Sequence, residues 1–406
     1  MPQQQANSTS GPPNTRAVFL TAGAAGMYCG SCMHDNSLAK AIRARGVDLL
    51  LQPVYTPIRT DEPSVASDQV FFGGIRIYLL QLMPWLRWLP SSMLRWLDSP
   101  QLIRWATRKT QSTSATKLGQ LTVSMLSGMD GRQRDEVARL VKWLSQDLQP
   151  DAVVLSNLLI GGSIPELKRK LPGTRIIVLL QGDDIFLDHL PQPYRDQAIH
   201  LCRQIAESVD LFVVNSQFYA DKMAATLKAP ASRLVIHPLS IDTTPFTAES
   251  KAGATSGADK ESVSTTPLRI GYLARIAPEK GFHHLVDAFI QLASQSRHRE
   301  TTLHVAGWLG DSNQDYFHDQ LGKLDQAGLS DRFHHHGSPD LAGKADYLKS
   351  LDLLCVPTDY EDPKGLFVLE ANSSGVPVVM PDHGAFGELV RSTGGGVLYP
   401  PGDESA

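Results

Sequence analysis

Short apolar runs alternate with longer amphipathic stretches along most of this chain. The first run, Ala17–Thr21, predicts a buried strand, and a glycine-rich turn over 23–30 follows it. Leu38, Ala41 and Ile42 fall on one face of a helix predicted over Asn36–Arg45. Gly46 stops that helix, and Val47–Val54 reads as the next strand. Strand, glycine turn, helix, strand is the opening of a doubly wound α/β domain. Further short apolar strands are expected at Ala152–Leu155, Arg175–Leu180, Leu211–Val214 and Leu234–Ile236, with helical stretches between them. The pattern lapses over 248–266, which is rich in Ser, Thr, Ala, Gly and Lys, and then restarts. Strands follow at Leu268–Leu273, Thr302–Ala306, Arg332–His335, Asp352–Pro357 and Val376–Met380, with a helix over Gly281–Ala293. Two successive α/β halves are the architecture this implies.

A chain of 406 residues suits two domains better than one core. The division expected is a polar tail at 1–15, an N-terminal domain at 16–245, a linker or insertion at 246–266, and a C-terminal domain at 267–406. A composition 42% hydrophobic and 20% charged is that of a soluble globular protein. The net charge of -4 lacks the basic footprint of a nucleic-acid binder. Four cysteines do not make a disulfide scaffold, so a reducing compartment is the default. The first 15 residues carry no apolar core of a signal peptide, and no run of about 18 apolar residues occurs. A cytoplasmic location is therefore expected. The chain stops at Ala406, where a further helix is expected to begin, so the C-terminal end reads as truncated.

The strongest chemical signal lies in Thr358-Asp359-Tyr360-Glu361-Asp362-Pro363-Lys364-Gly365-Leu366-Phe367-Val368-Leu369-Glu370-Ala371. This is a polar loop that leaves a strand and feeds a helix, and ligands of open α/β sheets bind at such strand ends. Backbone N–H groups at Gly365, Leu366 and Phe367 start the helix, where an anion is favoured. Glu370, one turn further, suits vicinal hydroxyls such as those of a ribose; a capped helix with a solvated carboxylate is the plain alternative. Upstream, Arg275 and Lys280 bracket a turn that opens a helix, so both can converge on one diphosphate.

With these motifs in register, the chain resembles glycosyltransferase family 4, retaining enzymes of the GT-B fold. The family's donor-site pattern, E-G-F-G-L-P-x-x-E-A, lies over Asp362–Ala371, and Gly375-Val376-Pro377-Val378-Val379 continues as the family does. Its G-R-x-x-x-x-K-G turn lies over Ala274–Gly281. The resemblance implies an α/β GT-B fold: two Rossmann-like domains facing across a cleft, donor in the C-terminal half and acceptor in the N-terminal half. It implies a metal-independent, hexosyltransferase-like enzyme moving a sugar from a nucleotide-diphosphate sugar to a glycan, lipid-linked or small-molecule acceptor, as in cell-envelope glycan synthesis. By the same resemblance Arg275 and Lys280 hold the diphosphate and Glu370 the ribose, while Asp362 and the backbone of Gly365, Leu366 and Phe367 hold the sugar. Gly26 and Gly30, in the first glycine turn, close over the phosphates. Catalytic positions carried over are Asp362, Glu370, Gln181 and Asp184. No metal or other cofactor is implied. Three departures from the family pattern matter: Asp362 stands for Glu, Pro363-Lys364 for Gly-Phe, and Gln181 for a common His.

Other signals compete. Cys29-Gly30-Ser31-Cys32 has the spacing of a redox pair between strand and helix, so a non-catalytic sugar-nucleotide-binding or redox-linked protein on the same fold is the rival reading. His34 and Asp35 follow at once, with acceptor contact and plain solvation both open. The stretch 78–109 holds four of the six tryptophans among Arg and Leu residues, which suits either peripheral contact with the inner membrane face or packing on the core. Asp183-Asp184 and His334-His335-His336 are weak metal candidates, the histidines because consecutive strand residues point to opposite faces.

Overall fold

The computed structural model describes residues 15–23, 30–58, 60–67, 70–71, 115–247 and 267–402. The expectations for Gly26, Cys29, the stretch 78–109 and the segment 248–266 lie outside the described residues. The chain forms two compact units, Met1–Val213 with Met223–Val235, and Val214–Lys222 with Ile236–Ala406.

The first unit is built on β1 (Arg16–Thr21), α1 (Gly30–Ala44), β2 (Asp48–Pro53), α2 (Ala115–Leu126), α3 (Arg134–Lys142), β3 (Ala152–Leu155), α4 (Ile164–Lys170), β4 (Arg175–Leu179), α5 (Asp183–Asp188), α6 (Tyr194–Ala206), β5 (Leu211–Val214), α7 (Gln217–Leu227) and β6 (Leu234–Ile236). Its six strands run in the order β2-β1-β3-β4-β5-β6. Phe19 of β1 registers with Leu51 on one side and Val154 on the other, both parallel. Strands covered on both faces read as continuous apolar runs, which is why these were visible in the sequence. Helix α1 starts at Gly30, six residues ahead of the expected Asn36. Its buried positions are Cys32, Asp35, Asn36 and Ala39. The spacing is helical, but two of the four are polar, so the hydrophobic pattern hides the first turns.

The second unit continues with α8 (Thr244–Thr247), β7 (Arg269–Leu273), α9 (Phe282–Ser294), β8 (Thr302–Ala306), α10 (Gln314–Gln326), β9 (Phe333–His335), α11 (Leu341–Lys349), β10 (Leu353–Cys355), α12 (Leu366–Ser373), β11 (Val378–Pro381), α13 (Phe386–Thr393) and β12 (Gly396–Tyr399). The strand order is β12-β11-β10-β7-β8-β9, with the register of each neighbouring pair parallel. Tyr272, Phe282, Phe289, Leu303, Val305, Val368 and Phe386 form the core of this unit, and Phe246 and Ile241 pack with it. The strands expected at Asp352–Pro357 and Val376–Met380 are shorter or shifted, at Leu353–Cys355 and Val378–Pro381. Strand β12 was not anticipated: it closes the sheet edge, only partly buried, with Val397 64% exposed. Its side chains therefore carry no buried apolar run.

Chain order reverses between β7 and β10 in this sheet, so the loops leaving those two neighbours diverge from a common point. Crevices of this kind, at the carboxyl ends of the strands, are where doubly wound sheets bind ligands. Arg275 and Lys280 follow β7, and Asp362 and Glu370 follow β10. Among the described residues, no helix is long and apolar enough to cross a membrane.

Candidate functional site

The turn after β7 is held from beneath. The fully buried Tyr272 places its hydroxyl 3.1 Å from the Arg275 carbonyl and 3.3 Å from that of Lys280, clasping both ends of the turn. A short helical turn, Pro278–Lys280, ends on Gly281 at φ 70°. A Cβ there would lie 1.6 Å from the Pro357 carbonyl oxygen, so only glycine lets this turn meet the end of β10 backbone to backbone.

That contact brings Lys280 to the loop after β10. Its Nζ lies 2.8 Å from Asp362 Oδ2 and donates to the Tyr360 hydroxyl, which in turn donates to the same Oδ2 at 3.1 Å. The other oxygen, Oδ1, accepts from the backbone N–H groups of Lys364 at 2.9 Å and Gly365 at 3.1 Å. Asp362 is thus saturated, and it folds its own loop while neutralising Lys280. Burial disfavours both charges, yet their mutual attraction outweighs it: Lys280 is held above the ordinary lysine range, and Asp362 falls to about 2. Arg275 stays at the surface, 2.5 Å from Glu279. Glu361, the neighbour of Asp362, is exposed.

Gly365 caps α12 at φ 70°, with Leu366 and Phe367 as the helix's first residues. One turn on, Glu370 meets a partner that no local pattern announces. Lys344, from the first turn of α11, places Nζ 2.5 Å from Glu370 Oε1, with side chains 8% and 12% exposed. Lys344 sits in a helix whose sequence reads as a solvated face, so only the tertiary fold shows it is buried.

In the first unit, Gln181 follows β4 and is completely engaged. Its Nε2 donates to Asp35 Oδ1 and to the Ser156 carbonyl, both at 2.9 Å, and its Oε1 lies 3.0 Å from His34 Nδ1. Asp35 is fully buried and also accepts from Thr21 Oγ1 at 2.7 Å, so the solvated reading does not hold for it. Asp184 is buried beside Asp183 at the start of α5. Asp183 accepts from the backbone N–H of Leu158 at 2.6 Å and of Gln181 at 3.1 Å, pinning the ends of β3 and β4 together. Burial lifts its carboxyl to about 6 despite these bonds, with Asp184 pushing the same way. Gly30 is the first residue of α1.

Among the described residues, one group could hold a cation: His283, His284 and Asp359, where His284 Nε2 is 2.7 Å from Asp359 Oδ1. His334 of β9 lies tilted against His304 of β8, and His336, just past the strand, meets His304 at 3.0 Å, while His335 packs on Phe317 instead. A groove of about 880 Å³ in the second unit is lined by residues of α9, β7, β10 and β11; its lining is chiefly apolar but includes His284 and Asp359, and it omits Lys280, Asp362 and Glu370.

Two parallel, doubly wound sheets with paired cations and carboxylates at the second sheet's crossing point define a GT-B architecture. The model of the glycosyl transferase 4-like domain matches residues 35–240, and that of glycosyl transferases group 1 matches residues 258–406. The chain belongs to this family of GT-B glycosyltransferases, family 4-like. Among similar proteins, a phosphatidyl-myo-inositol mannosyltransferase of Mycobacterium leprae is 31% identical over 37% of this chain and 40% of its own length. A D-inositol 3-phosphate glycosyltransferase of Mycobacterium sp. is 25% identical over 48% of this chain and 42% of its own length. The chain thus spans about two fifths of the length of the curated relatives it matches. Among solved structures, Anabaena Alr3699/HepE in complex with UDP shares 17% identity with a TM-score of 0.62, covering 96% of this chain and 86% of that one. Sucrose-phosphate synthase from Thermosynechococcus elongatus gives 0.64 at 17% identity, covering 97% and 88%. Both likenesses are of fold.

Proposed function

We propose that this chain transfers a hexose from a nucleoside-diphosphate sugar to a hydroxyl of a glycan, lipid-linked or small-molecule acceptor, with retention at the anomeric carbon. The observation that carries the reading is the meeting of Lys280 and Asp362 at the point where strand order reverses in the second sheet, with Glu370 one turn into the helix that the Asp362 loop feeds. Family membership supports it, as do relatives named as mannosyl- and glycosyltransferases and a fold neighbour solved with UDP-glucose.

Arg275 and Lys280 take the diphosphate in this reading. Glu370 accepts from the ribose hydroxyls, and the Asp362 loop with the α12 N-terminus faces the sugar. The bond from the anomeric carbon to the diphosphate oxygen breaks as the bond to the acceptor oxygen forms on the same face. The acceptor's proton passes to the departing phosphate. Lys280 and the helix N-terminus stabilise the charge that develops on the leaving group, so the step needs no metal ion. Gln181 and Asp184 belong to the acceptor side in this reading, Gln181 acting through His34 and Asp35, which it holds in place.

Thermal unfolding with UDP-, GDP- and ADP-sugars tests the donor class, since a ligand bound only to the folded state raises Tm. One nucleotide sugar should stabilise the wild type and undergo slow hydrolysis or transfer, unchanged by EDTA. K280A and E370A should abolish both. Equal turnover by wild type and variants would sink the reading, and inverted product stereochemistry by NMR would remove the retaining mechanism.

A further inference from the structure

Glu370 is not simply a carboxylate offered to ligand; it is held. Among the described residues its carboxylate has one hydrogen bond, from Lys344 to Oε1, which leaves Oε2 as the acceptor to be presented. Lys344 is itself fixed from several sides. Its helix is capped by Asp340, whose side chain accepts from the Gly343 N–H at 2.9 Å and whose carbonyl accepts from the Lys344 N–H at 2.8 Å. Its ammonium also lies 5.8 Å from the centre of the Phe246 ring, a buried side chain of α8. A cation between a carboxylate and an aromatic face has few other places to go. Removing it would leave Glu370 nearly buried without its compensating charge and free to rotate.

We infer that Lys344 is a positioning residue for the nucleotide ribose, acting through Glu370, an assignment that rests on Glu370 being the ribose carboxylate. Lys344 locks the plane of the carboxylate, so that Oε2 meets a ribose hydroxyl without further ordering. The preference it confers is for a ribonucleotide over one that lacks the 2′ and 3′ hydroxyls. A salt bridge that served only stability would strengthen or weaken both ligands together.

Isothermal titration separates these outcomes. Whichever of UDP, GDP and ADP binds the wild type most tightly is compared with its 2′,3′-dideoxy counterpart. K344M should weaken the ribonucleotide roughly tenfold, the worth of about one hydrogen bond to a charged group, and leave the dideoxy ligand unchanged. K344R should recover part of the loss, and E370Q should erase the same preference. If K344M does not fold, K344Q, which keeps a hydrogen-bond donor without the charge, is read in its place. If E370Q keeps the ribose preference, or no nucleotide binds the wild type, the ribose reading itself fails and the inference with it. If E370Q loses that preference while the Lys344 variants keep it, or if they weaken both ligands equally, the role given to Lys344 alone is overturned.

Discussion

Lys280 and Asp362 stand 82 residues apart in the chain, yet their side chains meet at 2.8 Å, 14% and 8% exposed, in the crevice between β7 and β10. Each is the condition for burying the other. Breaking such a pair from one side leaves an uncompensated charge, which typically costs about 3–5 kcal/mol. K280M should therefore lower the unfolding free energy of the second unit by about that amount, read by urea titration. The double variant K280M/D362N should recover much of it while still failing to bind donor. A K280M protein as stable as wild type would show that the pair carries no structural weight.

The same pair fixes an acid limit. Asp362 titrates at about 2 when folded against 3.8 ordinarily, so its contribution is present above pH 4 and is lost as pH falls from there toward 2. Unfolding midpoints measured between pH 2 and 5 should fall more steeply for wild type than for D362N. Parallel slopes would contradict the pairing.

Asp183 has the opposite sign. Its folded pKa of about 6 exceeds the ordinary 3.8, so the folded first unit holds a proton that the unfolded chain has released. That contribution is complete below pH 4 and is lost as pH rises through 6. The stability of wild type minus that of D183N should decline over this window. A difference that stays flat from pH 4 to 7 would mean that the two backbone N–H bonds already offset the burial.

Glycine at 281 is required by geometry as well as by φ. G281A would put a methyl carbon into the Pro357 carbonyl and force an L-residue to φ 70°, a strain of roughly 1–3 kcal/mol before any steric shift. Because the β7 and β10 loops touch there, the variant should lose donor-induced thermal stabilisation along with several degrees of Tm. A variant that loses Tm alone would show that the two loops adjust independently.

The sequence disclosed the parts of this site that local pattern encodes. Strands buried on both faces read as apolar runs, and the loop from Asp362 to Glu370 carries its glycine and acids at fixed spacing. Arg275 and Lys280 were legible because they border a glycine turn. Lys344 was not, since a lysine on an amphipathic helix looks the same whether it meets water or a buried carboxylate. The early start of α1 was hidden for a related reason: Asp35 and Asn36 face inward and satisfy Thr21, Gln181 and the 62–65 segment, so polarity there does not mean exposure. The link from Asp362 to Tyr360 and Lys280 was likewise invisible as a contact, although all three residues lay in the quoted motifs.

Three cations around the second sheet's crossing point come with a counter-charge: Lys280 with Asp362, Lys344 with Glu370, and Arg275 with Glu279. A neutralised pair casts little field beyond its own neighbourhood. In the proposed reading these three paired cations attract an anionic donor only weakly from afar, and recognition begins when its diphosphate competes with a carboxylate at contact range. Donor association should accordingly change less than about threefold between low and physiological ionic strength, where steered encounters fall steeply. Selectivity in such a site resides in the exchange of partners, not in attraction from afar.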